Sequence, residues 1–182
     1  MKSFEMNQTD GEVMKMQKGM KVISAISILA ALIGTQSYSA TAALPSNPKS
    51  KIQITSSYSS ELKTYKAQLS RLMSAETEII NGWSSVSGVN YTTDEVMYNK
   101  LIKLLPKVNV FVGRVEAIQP KNSKIYAAHR MYIDGWNYQY QGFTMVMAAL
   151  ENQDYAQMTQ ANSYLSKGRA KITAFTRTFR AL

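Results

Sequence analysis

Asp94-Glu-Val-Met-Tyr-Asn-Lys-Leu-Ile-Lys-Leu-Leu-Pro-Lys-Val-Asn-Val-Phe-Val-Gly-Arg-Val-Glu-Ala-Ile118 is the stretch from which the fold is read. Within it Met97, Leu101, Leu104, Val108, Phe111, Val115 and Ile118 recur at alternating steps of four and three, without a miss. Apolar residues at that spacing share one side of an α-helix, so 93–118 is read as an amphipathic helix facing a core. Thr92-x-x-Glu95 has the spacing of a capping box, and Pro120 closes the segment. Pro106 lies inside it and has no backbone N–H to give, which predicts a kink or break near Ile102.

The same rhythm appears on both sides. In 52–83 it is carried by Tyr58, Leu62, Tyr65, Leu69, Leu72, Glu76, Ile79 and Trp83. Ser50 and Gln53 suit a capping box there, with Ser57 to Ser60 as rival starts. The Gly- and Ser-rich loop Gly82–Tyr91 interrupts the pattern. In 123–151 the seam runs Ile125, His129, Tyr132, Trp136, Gln139, Phe143, Val146 and Leu150, behind Asn122 or Ser123 as cap. In 154–181, after a very short turn around Asn152, it runs Met158, Ala161, Leu165, Gly168, Ile172, Phe175 and Phe179 to Leu182. Small residues at Ala161 and Gly168 leave room for a neighbouring helix. Strand signals are nearly absent. Four amphipathic helices with short connections predict an all-α, up-down-up-down four-helix bundle. The rhythm also suits long coiled-coil hairpins.

Upstream the chain reads as an address. Lys15, Lys18 and Lys21 precede a twelve-residue apolar run, Val22 to Ile33, and a polar stretch ends in Ala40-Thr41-Ala42. Charge, short apolar core and small-x-small make a cleavable signal peptide over 1–42. The run is shorter than the about 20 residues needed to span a bilayer. An uncleaved anchor is the other reading, and the membrane is otherwise touched only during export. Residues 1–13 carry Glu5, Asp10 and Glu12, which oppose the charge an export signal needs. Met14, Met16 and Met20 are therefore candidate true starts. Residues 43–50, with two prolines and small polar residues, read as a linker.

The chain has no cysteine and a formal net charge of +9, of which +8 falls after Ala42. Stability must then come from packing rather than disulfides, and an exported, cysteine-free protein suits a Gram-positive secretome. The positive balance points to anionic cell-surface polymers or a partner protein, in a secreted or cell-wall-associated setting. Nucleic acid is not favoured, because no stacking-aromatic module and no glycine-rich phosphate loop is present.

Three groups of residues are candidates for function. Glu76, His129 and Gln139 put polar groups into apolar seams, where each needs a partner. His129 is the single histidine, no Glu-x-x-His pair exists, and no nucleophile turn is recognisable. No cofactor, no metal and no catalytic residue is therefore expected; an enzyme or metalloprotein using Glu76 and His129 is the alternative. Beside the seam of 123–151 runs a second row, Tyr126, Ile133, Tyr140 and Met147. It reads as a second buried flank or as a strip for a hydrophobic ligand or partner helix. Lys167, Arg169, Lys171, Arg177 and Arg180 make the last helix basic. On a helical wheel they split between two flanks, so anion binding or membrane activity through them competes with an ordinary solvated surface.

His129-Arg130-x-Tyr132, Phe143 through Leu150 and Ala161-Asn162-x-x-Leu165-x-x-Gly168-Arg169 carry a resemblance. From Ser123 to Phe175 the chain resembles small exported or lipid-anchored helical proteins of Bacillus-type Gram-positive bacteria. It differs from the anchored members in lacking a lipobox cysteine. The resemblance implies a helical fold and an exported location, and no reaction.

Overall fold

A computed structural model describes residues 48–182, with side chains from residue 57 onward. The expected signal peptide and start sites, and most of the expected linker, lie outside the described residues. The described chain is all-helical: α1 (Pro48–Ser70), α2 (Met73–Ser84), α3 (Asp94–Glu116), α4 (Ser123–Asn152) and α5 (Tyr155–Arg180), with a short 3₁₀ turn at Gly88–Asn90. Among the described residues there is no strand, and no helix is long and apolar enough to cross a membrane.

Helix ends follow local chemistry. Pro48 opens α1, a position where its missing N–H costs nothing, so the helix takes in the last three residues of the expected linker. Thr93 rather than Thr92 caps α3, its hydroxyl accepting from Val96 N. The Asn122 side chain accepts from Lys124 N and Ile125 N to start α4. Asp154 does the same for α5 through Gln157 N. Between α4 and α5 the chain reverses through one left-handed residue, Gln153 at φ 52°.

One expectation is revised and another is narrowed. The span 52–83 is two helices, not one. At the junction Leu72 N bonds the Leu69 carbonyl at 2.9 Å, a 3₁₀-type closure that ends α1. The seam nevertheless carries across, with Leu69, Leu72, Glu76, Ile79 and Trp83 all buried. Pro106, by contrast, does not break α3. The carbonyl it leaves without a donor belongs to Ile102, and both residues lie on the exposed side, where water can serve.

The helices close around one aromatic-rich core. Phe111 meets Trp136 at 4.6 Å between ring centroids, Tyr132 meets Phe175 at 4.5 Å, and Trp83 meets Phe143 at 5.0 Å. Antiparallel α4 and α5 lie closest. A Cβ added at Gly135 would stand 3.1 Å from the Gly168 carbonyl oxygen, and one at Gly142 the same distance from Leu165 N. Polar ties hold the far end: Tyr58 donates to the C-terminal Leu182 carbonyl at 2.9 Å. Glu61 accepts from the Lys121 and Asn122 amides at 2.5 and 2.7 Å, which joins α1 to the loop before α4.

Candidate functional site

The unusual feature of the interior is that titratable groups sit where the seams predict apolar ones. Glu76, in the first turn of α2, is 4% exposed. From α4, spaced one turn apart, Tyr132 Oη and Trp136 Nε1 flank its carboxyl. Both atoms are buried, and neither makes a hydrogen bond of good geometry, although both stand near enough to pull the Glu76 pKa down. Burial is the larger influence and raises that pKa to about 7. The Tyr132 phenol is pushed well above its ordinary value, by burial first and by the Glu76 charge second.

A second polar chain runs alongside. Tyr65 Oη lies 3.0 Å from His129 Nδ1, and His129 Nε2 lies 3.1 Å from the Val115 carbonyl oxygen. A carbonyl can only accept, so Nε2 carries a proton, and in the neutral ring Nδ1 accepts from the Tyr65 hydroxyl. Burial lowers the ring pKa and so favours the neutral imidazole. One histidine thus joins α1, α3 and α4 with both ring nitrogens satisfied. Tyr65→Phe should leave Nδ1 buried and unpaired and cost about 1–3 kcal/mol. The urea midpoint of the variant checks this, and an unchanged midpoint counts against the assigned tautomer.

Gln139 forms a third polar contact, donating from Nε2 to the Leu165 carbonyl at 2.8 Å across α4 and α5. No hydrogen bond joins the three seam residues to one another. Glu76 has its own aromatic surroundings, His129 its tyrosine and carbonyl, and Gln139 a structural bond. Among the described residues no group of three or more His, Cys, Asp or Glu side chains is placed to hold a metal.

The second row of α4 is not a uniform strip. Tyr126 is exposed, Ile133 is buried, and Tyr140 and Met147 are half-buried against the core. The basic residues of α5 are likewise dispersed. Lys171 reaches Asp134 at 3.5 Å, Lys167 lies over the Tyr164 ring, and Arg169 donates to the Ser166 hydroxyl. Arg177 and Arg180 are exposed in the last turn.

One surface was not singled out from the sequence. On the outer side of α3, Asn99, Ile102, Pro106, Val110, Gly113 and Ala117 are all exposed. At about 100° per residue they fall within an arc of roughly 80°, opposite the seam. That arc carries no charge from Asn99 to Ala117, whereas the solvent side of a core helix is ordinarily its charged side. A shallow pocket lies elsewhere, between the start of α3 and the end of α4, lined by Asp94, Glu95, Tyr98 and Glu151 among others. Tyr98 donates to the Glu151 carboxylate there.

The chain matches no known protein-family model, no curated protein and no solved structure.

Proposed function

We propose that the chain is an exported helical binding protein that acts by presenting its surface to a partner protein or an anionic cell-envelope polymer. In this reading it is an up-down-up-down four-helix bundle behind a cleavable signal peptide. The broken pair α1 and α2 supplies the first arm, and α3, α4 and α5 the rest. The expected setting is secreted or cell-wall-associated, in a Gram-positive bacterium.

The observation that carries this is the division between inside and outside. The groups able to do chemistry, Glu76 and His129, are sealed in the core, and both nitrogens of His129 are committed. The surface, by contrast, offers positive charge and an uncharged apolar face on α3. An acid-base or metal role would need Glu76 and His129 to share a solvent-reached site, and they hold separate partners. Membrane activity through α5 draws less support, because its basic residues do not gather on one stripe.

The test is location. The full chain is expressed in a Gram-positive host, and medium, wall, membrane and cytosol are separated before N-terminal sequencing. The expected product begins at Ala43 and is found in the medium or wall fraction. A cytosolic product beginning at Met1 or Lys2 overturns the proposal.

A further inference from the structure

We infer that the outer face of α3 is a docking strip for an amphipathic helix of a partner protein, one carrying carboxylates along a single edge. This rests on the binding reading above and names the surface and the partner chemistry.

The strip runs from Ile102 through Pro106, Val110 and Gly113 to Ala117, about 22 Å at 1.5 Å per residue. Ile102 and Val110 are 47% and 54% exposed, so their apolar surface is unpartnered. Next to them the surface is flat: a Cβ added at Gly113 would meet nothing within 4 Å, which lets another backbone come close. In the middle, Pro106 leaves the Ile102 carbonyl without its helical donor, an acceptor that an incoming side chain can use. These features suit the laying of one helix along another.

Charge then selects the occupant. Lys103, Lys107 and Arg114 line one edge of the strip. Lys107 is tied to Glu78 of α2, while Lys103 and Arg114 stand exposed. The opposite edge holds Asn109 and Glu116, whose carboxylate accepts from Asn137 Nδ2 at 3.1 Å. Complementarity therefore asks for acidic residues on one side only. A lipid surface would call for cations on both sides and for Trp, Phe or Leu anchors, which the strip lacks. A second copy packed antiparallel on α3 would set Lys103 and Arg114 beside their own counterparts. Packed parallel, it would offer them only the Glu116 already engaged.

The full chain is titrated into a labelled synthetic helix with leucines at third and fourth positions and glutamates on one flank. A twin peptide carries lysines in place of the glutamates. Anisotropy should show the glutamate peptide binding at least tenfold more tightly. Val110→Asp should cost at least tenfold, with circular dichroism unchanged, and Lys103→Glu with Arg114→Glu should reverse the preference between peptides. Equal binding of the two peptides, or binding of neither, overturns the inference. So does a Val110-dependent dimer in solution, or Val110-dependent binding to phosphatidylglycerol vesicles in place of peptide. Export is scored on location alone, so failure of that reading is seen separately.

Discussion

Glu76→Gln should stabilise the protein at pH 8 by roughly 3 kcal/mol and leave it little changed at pH 5. The carboxyl titrates at about 7 in the folded chain against an ordinary 4.5, chiefly because burial penalises its charge. A folded-state pKa that is raised means the folded chain holds the proton more tightly than the unfolded chain. The stability this gives is full below about pH 4.5, declines as pH rises, and is gone above about 7. A carboxyl pKa raised from 4.5 to about 7 is worth roughly 3 kcal/mol. Glutamine keeps the shape of the neutral acid and cannot ionise, so the alkaline loss disappears. Its amide stands beside the same two ring donors, Tyr132 Oη and Trp136 Nε1, as the carboxyl does. The opposite sign applies to His129, whose lowered pKa makes stability fall as pH drops below about 6.5. In the wild type the two trends oppose each other between about pH 5 and 6.5. With Glu76 replaced, the histidine trend should stand alone as a rising slope. Urea unfolding at pH 5, 6, 7 and 8 reads both, and equal stability of the two proteins at pH 8 would sink the assignment.

The sequence carried the fold this far because burial has a period. The seams of α3, α4 and α5 were legible from apolar spacing, and Asn122 was legible as a cap because its short side chain reaches backbone amides at a helix start. The junction at Leu72 was not, since neither glycine nor proline marks it and the seam passes through unbroken. At Pro106 no break follows, for the converse reason. A proline signal is local, while its cost depends on whether water reaches the freed carbonyl, which only the tertiary arrangement decides. His129 was readable as a hydrogen-bonded core residue. Its partners Tyr65 and Val115 were not, because they stand 64 and 14 residues away. Tyr132 and Trp136 fall on the apolar seam by spacing alone, and the polar atom of each ring is what sets the surroundings of Glu76. The α3 strip was in reach of the sequence. Seam reading asks which face is apolar, and this strip is found only by asking whether the opposite face is charged.

Gly168→Ala should destabilise the protein by roughly 3 kcal/mol, although alanine is the better helix former. Propensity alone favours the change by about 1 kcal/mol in a helix interior. Against it stands the close approach of α4 and α5. The new Cβ would lie 2.5 Å from Gln139 Nε2 and 2.8 Å from the Gly135 carbonyl oxygen. The first contact is with a side chain that can move, but moving it breaks the bond to the Leu165 carbonyl and leaves a buried amide, at about 1–3 kcal/mol. The second is with backbone, so relief there requires the helices to part, and overpacking of that kind costs about 1–3 kcal/mol. The two losses together exceed the propensity gain. Gly113→Ala is the matched control, because its Cβ meets open space on an exposed helix face, and it should gain about 0.5–1 kcal/mol. In a Gln139→Ala background the side-chain part of the penalty is absent, so Gly168→Ala should cost less there. What remains measures the backbone contact. Chemical unfolding of the four proteins gives the cycle, and a Gly168→Ala variant as stable as wild type would mean that α4 and α5 do not approach so closely.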